Sequence, residues 1–98
     1  MLNKAQIKEL LNNIKATAER CVWCDSASAI QQQVEFCSGI VFALDNFQEW
    51  LNDDDIRQLR RALMALRDAT HGDFTHSEIE AHSETLWICC DNLIEIKL

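Results

Sequence analysis

Apolar residues recur every three or four positions along almost the whole chain, which is the spacing of an amphipathic α-helix. The chain contains no proline and only two glycines, so it lacks the turn residues that a set of short strands requires. The pattern therefore predicts an all-α fold. The apolar stripes divide into four predicted helices, which span residues 4–22, 25 or 26 to 51, 53–69 and 75–96.

Polar residues mark where the predicted helices begin. Asn3, Asn52 and Thr75 each stand where a side-chain oxygen can accept a hydrogen bond from a free backbone N–H of the first turn. Thr75 is followed three residues later by a glutamate, which is the sequence of a reciprocal capping box. Gly72 is the predicted C-cap glycine of the third helix. Gly39 lies inside the second helix, so either a neighbouring segment approaches it closely or the helix is locally weak.

The sign of the charge alternates from one predicted helix to the next. Residues 1–24 carry four basic and two acidic groups, whereas residues 25–55 carry seven acidic groups and no basic one. Residues 56–72 carry four basic groups and one acidic, whereas residues 73–98 carry one basic group and six acidic. Short connections and attraction between neighbours favour one domain, residues 1–98, folded as an antiparallel up-down-up-down four-helix bundle. Chance segregation of charge is the alternative explanation.

The net charge of −7 narrows the classes of partner. A negative surface repels phosphate backbones, which disfavours direct nucleic-acid binding, and it attracts a basic protein. The N-terminal stretch lacks the apolar core of a signal peptide, and no apolar run is long enough to span a membrane. The five cysteines, an odd number, are then expected to be reduced thiols, and the expected compartment is the cytoplasm.

Two pairs of cysteines are candidates for thiol or metal chemistry. Cys21 and Cys24 form a C-x-x-C sequence, which can be a redox pair or half of a zinc site. The pair lies at the end of a predicted helix, whereas a redox pair needs a helix N-terminus to lower a thiol pKa. Cys89 and Cys90 point about 100° apart on a helix and cannot easily chelate one ion. We therefore favour core packing and expect no metal or cofactor, with a zinc or redox module as the alternative function.

Carboxylates and large apolar groups share the outer faces of the second and fourth predicted helices. An aromatic anchor surrounded by charge is typical of binding hot spots, and Phe42 and Trp87 are the predicted anchors. Alternatively, long neighbouring side chains half-bury both. Phe36, Ala43 and Trp50 form a further apolar patch. The predicted partner-binding residues are Glu80, Glu84, Trp87, Asp91, Ile94 and Glu95 on the fourth helix, and Glu35, Phe42, Asp45 and Glu49 on the second.

These features predict a non-enzymatic interaction module. Spacing fixes no nucleophile–base pair, and it fixes no paired carboxylates that would make one of the three histidines a general base, so we expect no enzyme activity. The predicted function is to bind or inhibit a protein partner with a basic surface, for example by presenting carboxylates where the phosphates of a nucleic acid would sit. Apolar residues on more than one side of two helices also predict a homodimer.

Overall fold

The computed structural model describes residues 1–98 as four α-helices and no strand, which confirms the predicted all-α class. All four predicted helices are present, and their ends lie within about two residues of the predicted positions except for the C-terminal end of the second helix. The helices are α1 (Lys4–Cys21), α2 (Ala27–Asn46), α3 (Asp53–Asp68) and α4 (His76–Lys97). None of the four combines the length and the apolarity that a membrane crossing requires.

The predicted N-caps all form. Asn3 and Asn52 each accept a hydrogen bond from the backbone N–H three residues on, and the backbone N–H of each donates to the side chain of that third residue, which completes the capping box. The Thr75 hydroxyl accepts from the N–H of Glu78 at 3.2 Å, but the Glu78 side chain makes no return bond, so only half of that predicted box exists. Local sequence thus determines where three of the helices begin.

The second helix is shorter than predicted, because it ends at Asn46 rather than near Leu51. The side chain of Gln48 explains the early end. Its Nε2 donates to the carbonyl oxygens of Leu44 and Leu51 at 2.7 and 3.0 Å, and its Oε1 accepts from the Leu51 N–H at 2.6 Å. These bonds replace helical backbone bonds and turn the chain. Leu51 still reaches the core from the connection, whereas Phe47 is 52% exposed.

The two glycines have different roles from those predicted. Gly72 is not the C-cap of α3, which is Ala69; it lies further along the connection to α4 with φ +72°, where a side chain would be strained. Gly39 is exposed, and a Cβ added there would meet nothing within 4 Å. No segment of the chain approaches Gly39 closely. Of the two explanations that the sequence offered for this glycine, a close neighbour is therefore excluded within one protomer, and a locally weak helix remains.

The four helices form a ring in chain order around one core. Each helix packs beside its two neighbours in the order α1, α2, α3, α4 and back to α1, while no Cα atoms of diagonal helices come within 8 Å of each other, and the predicted up-down-up-down bundle is confirmed. The core contains 21 buried apolar residues, most of them on the predicted stripes. Each helix contributes one leucine that is wholly buried, namely Leu11, Leu44, Leu59 and Leu86.

Two of the three ion pairs between helices join segments of opposite net charge, whereas the third, Lys97 with Asp55, joins two segments that are both net negative. Lys15 of α1 contacts Asp91 of α4, and Arg60 of α3 contacts Asp45 of α2, each with a nitrogen–oxygen distance of 2.8 Å. Each of these two pairs joins one positively charged and one negatively charged segment of the sequence. Attraction between these oppositely charged segments therefore stabilises the packing of neighbouring helices, and each partly exposed pair contributes a modest free energy.

Candidate functional site

The predicted acidic residues of α4 fall into two groups. Asp91 is neutralised within the chain, because its Oδ1 accepts a hydrogen bond from the Lys15 ammonium at 2.8 Å. Glu84 and Glu95 are exposed and form no ion pair, and the Oε2 of Glu80 lies 3.9 Å from the Nε2 of His76. Three of the four predicted carboxylates on this helix are therefore free to meet a partner.

The predicted residues of α2 divide in the same way. Asp45 pairs with Arg60, whereas Glu35 is exposed and unpaired. Glu49 is also exposed and unpaired, but it lies in the connection after α2 because the helix ends early. Phe42 is 60% exposed, so the sequence placed it correctly on the surface.

Trp87 lies in the groove between α1 and α4 and is held there by its own chain. Its indole Nε1 donates to Glu19 Oε1 at 2.9 Å, and the Lys15 ammonium lies 4.2 Å from the ring centroid. The ring is partly buried against the core, as is Ile94, another predicted partner-binding residue. Long neighbouring side chains therefore half-bury Trp87, as the alternative interpretation expected. Its role as a binding anchor stays a prediction.

The groove beside Trp87 brings together residues that the sequence could not connect. It has a volume of about 350 Å³. Of the predicted residues it gathers Glu80, Glu84 and Trp87, and it adds Glu19 from α1 and Ser83 from α4. The lining residues are Ala18, Glu19, Val22, Glu80, Ser83, Glu84 and Trp87. Three of these seven carry a carboxylate, and no lysine or arginine is among them.

Ser83 is the lining residue of this groove whose hydroxyl is buried without a hydrogen-bond partner. The residue is 2% exposed, and its Oγ has no hydrogen-bond partner, unlike every other buried side-chain oxygen or nitrogen in residues 1–98. A helical serine or threonine can donate to the carbonyl four residues back, as Thr85 does to Ala81 at 3.0 Å. A buried hydroxyl without a partner destabilises the fold, by about 1–3 kcal/mol. Such an atom needs an explanation, and a water or a ligand that bonds to it is one.

The carboxylates of the groove surround a space larger than a metal ion. No three histidine, cysteine, aspartate or glutamate side chains in residues 1–98 lie close enough together to hold one. Glu19, Glu80 and Glu84 therefore line the same groove without converging on a single point. Their arrangement suits an organic cation with several donors better than a bare ion.

The cysteines are placed for packing. Cys21, Cys37 and Cys90 are buried in the core, and all five cysteines are free thiols. Burial raises the pKa of Cys21 from an ordinary value of 9.0 to about 12 and that of Cys37 to about 11. Burial likewise raises the pKa of Cys89 and Cys90. A raised pKa keeps a thiol protonated at neutral pH, which disfavours both metal binding and nucleophilic attack.

Four residues of the groove, Ala18, Glu19, Val22 and Ser83, were not among the predicted partner-binding residues. Glu19 belongs to the segment with a net positive charge, and only the register of α1 against α4 sets it beside Trp87. The position of Trp87 at the edge of the acidic face of α4 was the available signal that a neighbouring helix reaches it. Ser83 lies on the buried face of α4, where a serine carries no sequence signal of being unsatisfied.

Fold and site together define a small acidic four-helix bundle with an aromatic-lined carboxylate groove between its first and last helices. No protein-family model, curated protein or solved structure matches the chain.

Proposed function

We propose that this protein is a non-enzymatic interaction module that binds a protein partner with a basic surface through the groove between α1 and α4. The observation that carries the proposal is the set of carboxylates in this groove. Glu19, Glu80 and Glu84 line it beside Trp87, and none of the three forms an ion pair with a lysine or an arginine of the chain. Asp45 and Asp91, by contrast, are already paired with Arg60 and Lys15.

The charge of the whole molecule supports the same proposal. A net charge of −7 steers a basic protein toward the surface, and a concave site lined by one sign of charge strengthens the local field. Free carboxylates on a rigid helix can also stand where phosphates sit in a nucleic-acid-binding groove, so inhibition of such a protein is the more specific form of the proposal. Direct binding of nucleic acid is disfavoured by the same charge.

Charge reversal in the groove tests this proposal. We would use the wild-type chain and the Glu84→Lys variant as affinity baits in host lysate, and measure the retained proteins by quantitative mass spectrometry at low and high salt. A basic partner that approaches Glu84 should lose about tenfold in retention on the variant, equivalent to about 1.4 kcal/mol. High salt should weaken the wild-type complex, because screening reduces attraction between exposed charges.

The matched control is Glu9→Lys, which makes the same change of charge on an exposed, unpaired glutamate of α1 outside the groove. This variant should retain the partner almost as well as the wild type. Equal retention by all three baits, or a partner that carries a net negative charge, would contradict the proposal.

A second copy of the chain is a further partner that we propose. Phe36 and Phe42 are 53% and 60% exposed on the outer side of α2, and Gly39 lies between them in sequence with open space above it. An exposed glycine weakens a helix unless another backbone comes close to it. Contact between two α2 helices at this glycine would cover both aromatic rings in a symmetric dimer.

The compartment that we propose is the cytoplasm, because free cysteines persist where thiols are kept reduced. The alternative function, a zinc or redox module, gains no support from the thiols. Burial raises the pKa of Cys21 at the C-x-x-C pair to about 12, whereas thiolate chemistry needs a lowered pKa.

A further inference from the structure

The groove between α1 and α4 has the size of a site for one side chain. Its volume of about 350 Å³ lies near the lower end of the range of about 300–1,000 Å³ that is usual for small-ligand pockets. A helix of a partner is too wide to enter such a space, since its diameter with side chains is about 10–12 Å. A single long side chain that projects from the partner fits the size of the site.

The chemistry of the walls selects a cation with an aliphatic stem. Glu19, Glu80 and Glu84 supply negative charge at separate points, while Ala18 and Val22 supply apolar wall. The long basic side chains bury an apolar stem while their charged head meets polar groups. The carboxylates do not converge as metal ligands would, so a cation that spreads its donors over several directions matches them better than a divalent ion.

Two further groups point to the same class of ligand. Ser83 is among the residues that line the groove, and its buried Oγ has no hydrogen-bond partner in the chain, so it has the capacity to accept a bond from an N–H group. Trp87 adds an aromatic wall to the groove, and the Lys15 ammonium of the same chain already lies 4.2 Å from its ring centroid. Glu19 uses Oε1 for the indole of Trp87, and its Oε2 forms no hydrogen bond within the chain.

We infer that this groove binds the guanidinium side chain of one arginine from the basic partner, an inference that rests on the function proposed for the same groove. The guanidinium is planar and presents five N–H donors in fixed directions, so it can meet carboxylates and the Ser83 hydroxyl at once. A lysine ammonium is a compact point charge with three donors, and it cannot reach acceptors on opposite walls together. The groove should therefore prefer arginine to lysine.

A pair of blocked tripeptides tests the inference directly. We would titrate the full chain, at constant ionic strength, with acetyl-Gly-Arg-Gly-amide and with acetyl-Gly-Lys-Gly-amide, and follow the indole N–H signals by two-dimensional NMR. Single side chains bind weakly, so the titration should reach about 20 mM. The arginine peptide should shift the Trp87 signal in a saturable way, with at least about fivefold higher affinity than the lysine peptide. Trp23 and Trp50 lie outside the groove and serve as internal references.

Variants identify the atoms involved. Glu84→Gln and Ser83→Ala should each weaken arginine binding by about threefold to tenfold, since each removes one acceptor. Glu9→Gln, which removes an exposed carboxylate elsewhere on α1, should leave it unchanged. Ser83→Ala should weaken binding of the lysine peptide less, because the hydroxyl is proposed to accept a hydrogen bond from the guanidinium group.

The outcomes separate this inference from the proposed function. Equal affinity for the two peptides, or no shift of Trp87 with either, overturns arginine recognition; the interaction module would survive if Glu84→Lys still released a basic partner. If Glu84→Lys leaves partner retention unchanged, the proposed function fails whatever the peptides do. A shift of Trp87 that persists unaltered in both Glu84→Gln and Ser83→Ala also overturns the inference, because the peptide would then bind outside the groove.

Discussion

Ser83 contributes to the groove at the expense of fold stability. Its hydroxyl is removed from water and bonded to nothing in the chain, which is unfavourable for folding. Sites that bind ligands often keep such unfavourable groups, because the ligand later satisfies them. Stability and binding should therefore respond in opposite directions to the loss of this one oxygen atom.

We predict that Ser83→Ala increases the free energy of unfolding. The removal of an unsatisfied buried hydroxyl should contribute about 1 kcal/mol, and the higher helix propensity of alanine a few tenths more. Ser38→Ala, at an exposed position of α2, measures the propensity gain alone. Urea unfolding followed by circular dichroism gives both values. If Ser83→Ala gains no more than Ser38→Ala, the hydroxyl is already satisfied in solution.

The buried thiols predict how stability depends on pH. In the unfolded chain, cysteines lose their protons near pH 9.0, whereas burial holds the pKa of Cys21 at about 12 and that of Cys37 at about 11. Above pH 9.0 the unfolded state therefore binds fewer protons than the folded state, and stability falls as pH rises toward the folded values.

We expect each buried thiol to add up to about 1.4 kcal/mol per pH unit to this fall. Urea unfolding at a series of pH values from about 8 to 10.5 measures the slope, and the slope should be smaller in Cys37→Ala than in the wild type. A free energy of unfolding that stays constant above pH 9.0 would contradict the burial of ionisable thiols in the core.

At the scale of elements, the contact between α1 and α4 holds the candidate site in place. Lys15 joins both helices, because its ammonium pairs with Asp91 and lies over the ring of Trp87. Only 17% of the Lys15 side chain is exposed, so solvent screens this pair less than a pair on the open surface. Packing of the two helices and orientation of the tryptophan thus depend on the same charged residue.

A double-mutant cycle should measure this coupling. Lys15→Met and Asp91→Asn, alone and together, should give an interaction energy of about 1 kcal/mol in urea unfolding. The control pair Arg57 and Asp54 lies on one helix with both side chains mostly exposed, and its interaction energy should be about 0.3 kcal/mol. Equal values for the two pairs would show that Lys15 does not link the helices.

At the scale of the whole molecule, exposed aromatic groups on α2 predict self-association. Phe42 is more than half exposed and should be covered in the proposed dimer. Analytical ultracentrifugation should find twice the chain mass of 11.3 kDa for the wild type and the single chain mass for Phe42→Glu, because a buried charge without a partner destabilises the interface.

Two controls make this result specific. Phe42→Glu should unfold at the same urea concentration as the wild type under dilute conditions, because the side chain makes no contribution to the core of one protomer. Ile96→Glu, at an exposed position on α4, should leave the mass unchanged. A wild type that stays monomeric at high concentration would contradict the dimer.

Local sequence determined the helices and much of the core. The three-to-four spacing of apolar residues and the caps at Asn3, Asn52 and Thr75 act over one or two turns, so they can be recognised without knowledge of the fold. The end of α2 was predicted wrongly because the side-chain bonds of Gln48 replace helical backbone bonds, and glutamine has no strong preference that would signal this.

Tertiary structure alone decided which carboxylates remain available. Asp91 and Glu84 look alike on a helical wheel, but Lys15, 76 positions away from Asp91 in the chain, neutralises one and leaves the other free. Glu19 joins the groove for the same reason, since it bonds to Trp87 across 68 positions. Charge and hydrogen bonding between distant segments depend on the register of packed helices, and that register follows from the fit of core side chains in three dimensions.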